Sequence, residues 1–597
     1  MCGIAGIVTR NGPAPRGDLE KMLAAAEHRG PDGVGMFAKR NIVLGHRRLA
    51  IIDLSRDADQ PMTLGECTLT FNGEIYNYLE LRSELVELGH SFKTTSDTEV
   101  LLAAYLEWGQ KCVERLDGMW AFAIYDSRYE ELFLSRDRFG EKPLIYHLSG
   151  DRLVFASEPK QLRAIGFGLS ADLDSVIRYL TLDLKAHDRC FYDGLRELPP
   201  ATNATFSLRD FDWRTSKYYE PDSRKYDGIL ESDIPDALEF ELQQSIDRRL
   251  RSDVAVGLLL SGGIDSSLIA SIAGPHYLKA AGSPLLAITS STGDPSNDES
   301  RYARSVAESC GLEWIDVDTG TATTQGTWAE ATVAQDQPLR STSVVAGFNT
   351  LRAASAAGVT VLLSGQGADE SWLGYHKYVP LAAQSLPLMS RWQFLRLASQ
   401  QLSTPTVNML ALGAYFRSPR VAVARNWIRM RQVGIRPPYI KLTTEFNAAQ
   451  SSRMGVQEFR RKEVMDRGLQ QILQHEDRNS MAFSLESRLP FLSPGMVELG
   501  LSVPLSALFR NGWSKWPLRA QLSRSVAPNV AWRKSKLGFD GHTAAFDPEA
   551  PAVLAAIASS RVLRELGLRP SRLSLVPPRF KWRLFSVALW EECCVVQ

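Results

Sequence analysis

The chain changes its pattern once, across a polar and aromatic stretch at 210–232 that carries Pro221 and Gly228. Before it, short strand-like runs come in groups broken by Gly, Asn and Asp, at 3–8, 42–44, 68–71, 119–125, 132–135 and 152–157. Helical spacing is read at 18–27 and at 78–88, where Leu79, Leu81, Leu85 and Leu88 form the apolar positions. Strands grouped in this way build antiparallel sheets with helices packed on them. After the stretch, strands and helices alternate. A helix at 234–250 leads into a strand at 254–260, a glycine turn and a helix from Ser266. Strands at 285–291 and 359–364 follow, with a helix near 299–310 between them. Alternation of this kind implies a parallel sheet with ligands at the carboxyl ends of its strands. The sequence therefore predicts two unlike parts, 2–209 and 233–597, joined by a linker at 210–232. The region 381–475 reads as mostly helical, and no chemistry is evident in it.

The length of 597 residues fits several domains of ~100–200 residues each. Lys and Arg total 68 and so do Asp and Glu, a balance that argues against a nucleic-acid partner. No run of ~18 uncharged apolar residues marks a membrane span, and the first residues lack the basic and apolar regions of a signal peptide. The seven cysteines form no CxxC pair and no zinc-ligand spacing. The expectation is a reduced, cytoplasmic protein with neither nucleic acid nor membrane as partner.

Cys2 follows the initiator Met directly. Removal of Met1 would leave Cys2 with an α-amine of pKa ~7.7–8.0, a base and a nucleophile in one residue. Further along stand His28-Arg29-Gly30-Pro31-Asp32, Arg48-Leu49-Ala50-Ile51-Ile52, Phe71-Asn72-Gly73-Glu74-Ile75-Tyr76-Asn77 and Ser96-Asp97-Thr98-Glu99. Taken alone, Asn72-Gly73 is the strongest hairpin dipeptide. In this order, and with Cys2-Gly3-Ile4-Ala5-Gly6, the set resembles the class II glutamine amidotransferases, a branch of the N-terminal nucleophile hydrolases. The resemblance implies an αββα sandwich and a glutaminase in which Cys2 attacks the glutamine amide. It assigns oxyanion stabilisation to the Asn72 side chain and the Gly73 N–H. Arg48, Leu49, Ile52, Asn72, Gly73, Glu74 and Asp97 would bind glutamine, Arg48 forking onto its carboxylate and Glu74 and Asp97 holding its ammonium.

Ser261-Gly262-Gly263-Ile264-Asp265-Ser266-Ser267 follows a strand and opens a helix, a setting that favours an anion. The Walker A lysine is absent. The segment resembles the pyrophosphate loop of ATP-dependent amidating ligases, and Ser364-Gly365-Gln366-Gly367-Ala368-Asp369-Glu370 resembles its second motif. The resemblance places Leu260, Ser261, Gly262, Gly263, Asp265, Ser266, Ser290, Ser364 and Gly365 around ATP, and Asp265 and Asp369 on Mg²⁺. The tracts 475–481, 486–491, 511–515 and 532–539 resemble the C-terminal domain of the glutamine-hydrolysing asparagine synthetase family. Within them Lys515 aligns with a lysine that faces the phosphates. The basic residues at 533–536 read equally as a solvated surface and as part of site closure.

The implied reaction takes aspartate, ATP and glutamine to asparagine, AMP, diphosphate and glutamate, with a homodimer as one oligomeric state known in the family. Two departures concern the acceptor. Gln366 stands where the family carries a glutamate, and a neutral amide cannot act as a general base. Arg340 stands where a small or acidic residue is expected. Gln366, Arg340 and Glu370 are the acceptor-site candidates. The competing readings are the same chemistry on another carboxylate, such as a uronic or malonyl-type acid, and a non-catalytic relative that keeps the fold.

Overall fold

A computed structural model describes residues 1–182, 188–291, 298–320, 325–402, 405–434, 454–525, 528–534 and 546–595. Two six-stranded antiparallel sheets form the N-terminal part. The first runs in the order Arg196–Glu197, Ile145–Leu148, Arg152–Ala156, Gly3–Thr9, Ile42–Arg48 and Gly33–Lys39. The second runs Asp212–Lys217, Thr202–Ser207, Glu131–Arg136, Gly118–Asp126, Cys67–Ile75 and Met62–Leu64. The two-residue period of a strand sorts side chains to its two faces. Ile4 and Val8 point between the sheets, where they meet Ala121, Ala123, Leu132 and Leu134. Ala5 and Ile7 point to the other face, onto Leu19, Leu23 and Leu162. Trp120, Phe122 and Ile124 face outward onto the helix Asp97–Trp108. Both sheets are thus covered on both faces, which is the αββα sandwich.

The C-terminal part is built on a five-stranded sheet in the order Glu313–Asp318, Leu286–Ser291, Val256–Leu259, Val361–Leu363 and Glu486–Arg488, every neighbouring pair parallel. The order reverses at the central pair, so a crevice opens beyond the carboxyl ends of Val256–Leu259 and Val361–Leu363. Both glycine loops sit there.

The predicted linker begins inside the sandwich. Asp212–Lys217 pairs residue by residue with Thr202–Ser207 and closes the second sheet. It read as a linker because its residues from Arg214 to Lys217 are exposed, as suits the edge of a sheet. The next residues join the two parts: the Tyr218 hydroxyl donates to the Arg136 carbonyl at 2.9 Å, and the Tyr219 hydroxyl to Glu498 at 3.0 Å. A further weld comes from the last helix, Pro578–Cys594, whose fully buried Trp590 shares one apolar cluster with Ile7 and Val154 of the first sheet and with Val345 of the second part.

Candidate active site

Cys2 lies at the start of a central strand, where its amide N–H donates to Asn72 Oδ1 at 3.0 Å. Its thiol is buried, 4.0 Å from the Leu49 carbonyl, and burial raises its pKa, with the N-terminal charge acting the other way. Asn72 and Gly73 do not form a hairpin turn. They are the sixth and seventh residues of the strand Cys67–Ile75, paired with Ala121 and Trp120. At Gly73 a Cβ would lie 2.0 Å from the Met119 carbonyl oxygen, and φ is +153°, so no other residue fits. Asn72 is fully buried, and its Nδ2 has no hydrogen-bond partner. An unpaired buried donor costs free energy, and beside a thiol it is the group that can receive an oxyanion.

In the unprocessed chain the α-amine belongs to Met1, which is buried next to Cys2. This ammonium pairs with Glu486 at 3.3 Å. Around it lie two more buried carboxylates. Burial pushes Glu74 well up, and the Glu486 charge adds to it. Burial raises Asp97 to about 6, against the hydrogen bond that its Oδ2 accepts from the Ile75 N–H at 2.8 Å. Glu486 is held low despite burial by Arg488, whose Nε donates to it at 2.6 Å. The cluster is a ready receptor for an ammonium group. Ser96-Asp97-Thr98-Glu99 is also a helix start: the Ser96 hydroxyl accepts from the Glu99 N–H, while Glu99 accepts from the Lys93 and Thr94 N–H groups.

Arg48 is nearly buried and donates to the carbonyls of Ser55 (2.6 Å) and Asp53 and to Asp59 Oδ1 (2.7 Å). Leu49 and Ile52 pack into the apolar core of the second part. The interface continues through Arg29, which donates to the Cys2 carbonyl at 2.9 Å, to Glu158 at 2.7 Å and to Asp477 of the second part at 2.9 Å. The sequence reading quotes Arg29, Asp477, Glu486 and Arg488 within motifs but gives them no role. Full burial of so many charges is a property only the assembled interface reveals.

The second site forms where the two glycine loops meet. Gly262 has φ +66°, and a Cβ there would lie 2.6 Å from the Ala303 nitrogen. A Cβ on Gly365 would lie 3.0 Å from the Ser266 nitrogen, so the loops touch through glycine. The Ser261 N–H donates to the Ser266 hydroxyl at 3.2 Å, and the helix Ile264–Ala281 begins with no side-chain cap, its first N–H groups directed at the crevice. Leu260 is buried, with its carbonyl accepting from the Thr289 hydroxyl. Ser290 bonds Thr319 at 2.9 Å, and the Ser364 N–H donates to the Arg488 carbonyl at 2.9 Å.

Lys515 Nζ joins both aspartates, 2.7 Å from Asp265 and 2.5 Å from Asp369. It comes from a turn with φ +54° at Lys515 itself. Ser514, Arg519 and Arg533 complete the lining of the cavity. Arg519 fixes the turn by donating to the carbonyls of Ser514 (2.9 Å) and Ala531 (2.6 Å), and burial lowers its pKa to about 10. Arg519 is absent from the sequence reading, and Arg533 belongs to the 533–536 cluster that reads equally as surface and as site, which the cavity lining resolves for Arg533; residues 535–539 of that tract lie outside the described residues. Arg533 also pairs with Glu299 at 2.7 Å, and three cations lining one cavity suit a polyphosphate. Two hard oxygen ligands already holding a cation between them fit Mg²⁺, which binds through one or two carboxylates together with phosphates.

Of the acceptor candidates, Gln366 is exposed at the open side of its loop. Glu370 is 1% exposed and turned inward, accepting from the Tyr375 hydroxyl at 2.7 Å, and burial with the Asp369 charge raises it to about 7. Arg340 is half-buried just ahead of the helix Thr342–Ala356. Its neighbour Leu339 accepts at its carbonyl from Tyr179 of the first part (2.5 Å) and from Ser586 (3.0 Å).

A sandwich carrying Cys2 beside an unpaired amide, fused to a parallel-sheet nucleotide loop, defines an amide-transferring ligase. Residues 1–219 match the glutamine amidotransferase domain model and residues 237–577 the asparagine synthase model. The chain belongs to the glutamine-hydrolysing asparagine synthetase family, an ATP-dependent group of enzymes. It is 31% identical over 587 residues to a putative asparagine synthetase of Mycobacterium tuberculosis, covering 90% of this chain and 87% of that protein. It is 29% identical over 561 residues to asparagine synthetase 1 of Bacillus subtilis, with the same coverage. Amidase chry2 of Gibberella zeae is 29% identical over 408 residues, covering 63% of this chain and 60% of that protein.

Proposed function

We propose that the chain makes asparagine from aspartate. Glutamine and water give glutamate and ammonia at Cys2. The acceptor carboxylate and ATP give an acyl-adenylate and diphosphate at the glycine loops. Ammonia then displaces AMP to form the amide, releasing one proton. The observation that carries the reading is the pairing within one chain of an orphaned Asn72 Nδ2 beside Cys2 with a cationic cavity built on Lys515.

In this reading Met1 is removed, and the α-amine of Cys2 takes the thiol proton. Asn72 Nδ2 and the Gly73 N–H hold the oxyanion. Arg48, in a loop that also presents Leu49 and Ile52, binds the glutamine carboxylate. Glu74, Asp97 and Glu486 hold its ammonium, in the place that the Met1 ammonium marks. At the second site Leu260, Ser261, Gly262, Gly263, Ser266, Ser290, Ser364 and Gly365 cradle ATP. Lys515, Arg519 and Arg533 balance the departing diphosphate. Asp265 and Asp369 would hold Mg²⁺, which supplies charge neutralisation there. Gln366 and Arg340 contribute to the acceptor side. Glu370, enclosed with Tyr375, shapes the loop from within.

A second acceptor class is favoured by one observation: Gln366, where the family has a glutamate, is an exposed amide that can donate to a neutral or anionic oxygen. The experiment measures diphosphate release with ATP, Mg²⁺ and glutamine against aspartate, uronic acids and small diacids, with products identified by mass. Asparagine formed with aspartate supports the reading. Turnover only with another acid transfers the same machinery to that acceptor, and release of diphosphate with none of them overturns it.

A further inference from the structure

Part of the region without evident chemistry is lopsided in charge along the sequence. Between Glu370 and Glu445 there is no Asp or Glu, yet ten Lys and Arg residues fall there, in a chain whose net charge is zero. Its described residues include three successive helices, Leu388–Leu402, Thr406–Arg417 and Pro419–Val433, the middle one packed against both others.

These helices expose the wrong residues for an ordinary water-facing surface. On Thr406–Arg417 the outward stripe is Val407, Leu410, Ala411 and Ala414, at helical spacing, with Val407 74% exposed. On Pro419–Val433 it is Val421, Ala424, Trp427 and Ile428, with Ile428 50% exposed, and Arg420 and Arg431 stand exposed at the ends of the stripe. Leu388–Leu402 adds Trp392, 58% exposed, beside exposed Arg396. Leu388–Leu402 and Thr406–Arg417 have apolar inward residues as well, with Leu395, Ala398 and Met409 buried, so these two helices are not simply turned the wrong way round.

We propose that this three-helix face docks on an anionic lipid bilayer surface, its aliphatic and tryptophan side chains entering the headgroup boundary and its arginines meeting lipid phosphates. Helices that lie in a membrane interface combine an apolar stripe with Lys and Arg flanks and low overall hydrophobicity. No described helix is long and apolar enough to cross a membrane, so the contact is peripheral. Charge selects among the occupants. A second copy of the chain would set the exposed Arg396, Arg420 and Arg431 against their own copies, and like charges across an isologous contact repel. A nucleic acid would satisfy the arginines but leave Val407, Leu410 and Ile428 without a partner.

The test sediments the full chain with vesicles of equal parts phosphatidylcholine and phosphatidylglycerol, and with phosphatidylcholine alone. The expected result is binding to the mixed vesicles only, weakened by salt. An Arg396→Glu, Arg420→Glu, Arg431→Glu variant should lose about tenfold or more in partitioning, and a Trp427→Ser, Ile428→Ser variant should lose binding with the charge intact. Both should keep glutamine hydrolysis in solution, which shows that they fold. No sedimentation, equal sedimentation with phosphatidylcholine alone, or full binding by the folded variants overturns the proposal. So does light scattering that finds a dimer broken by these substitutions, or retention of duplex DNA without vesicle binding.

Discussion

Asn72 does two jobs with one side chain. Its Oδ1 accepts from Cys2 and fixes the strand, while its Nδ2 waits unpaired. Replacing it with Ala should lower kcat for glutamine hydrolysis by about 10²–10³ while amidation from added ammonium salt stays near the parent rate. An equal loss with both nitrogen sources would place Asn72 in the fold, not in the glutaminase. Glu370 makes a different kind of claim. Its folded carboxyl titrates at about 7, against ~4.3 when unfolded. Between these values the folded chain keeps a proton that the unfolded chain has lost, so the contribution of Glu370 to stability falls as pH rises from ~4.3 to about 7. Glu370→Gln removes that slope. The thermal midpoint of the variant should therefore gain on the parent from pH 5 to pH 7.5, by the equivalent of on the order of 3 kcal/mol. A difference that stays constant with pH would exclude the assignment.

At the scale of elements, the nucleotide site depends on a loop that only glycine can make. Gly262→Ala would force a Cβ into the Ala303 nitrogen at a backbone conformation L-residues rarely adopt. We expect ATP-dependent diphosphate release to fall by about tenfold or more, at the ~1–3 kcal/mol that such strain costs, with glutamine hydrolysis unchanged. Release at the parent rate would mean that the loop has room to spare. This loop was legible in the sequence because its chemistry is local: a strand, two glycines, a serine and a helix start are contiguous. The Cys2 motifs were legible for the same reason, each being a short segment whose residue types suit one substrate group. What stayed hidden was whatever depends on partners distant in sequence. Glu486–Arg488 is a strand of three residues, two of them charged, and it is buried only because Glu74, the Met1 ammonium and the Arg249 and Arg251 carbonyls surround it. Gly33–Lys39 and Asp212–Lys217 went unread because sheet-edge strands need no apolar alternation. The cationic cavity drew Arg519 and Arg533 from a helix and a loop about 250 residues beyond the glycines, and no spacing rule connects them.

The whole molecule is less divisible than its sequence pattern suggests. The pattern reads as two parts with a linker, and each part has a complete sheet. Yet one apolar cluster contains Ile7 and Val154 from the sandwich, Trp328 and Val345 from the second part, and Trp582, Phe585 and Trp590 from the last helix. Trp590 is fully buried, and its indole N–H donates to the Tyr192 hydroxyl at 3.1 Å. Tyr192 in turn donates to Asp336 at 2.5 Å, and Asp336 also pairs with Arg163 of the sandwich. The chain end thus holds the sandwich against the segment that leads to Arg340. Trp590→Ala would open a cavity in this joint and leave the Tyr192 oxygen with one partner fewer, at a cost of ~3–5 kcal/mol. Because the joint belongs to both parts, the loss should be shared. Glutaminase and diphosphate-releasing activities should fail together on heating, several degrees below the parent, in one calorimetric transition. If the two activities failed at separate temperatures, with only one of them moved by the substitution, the parts would be independent folding units and the cluster a contact between finished domains.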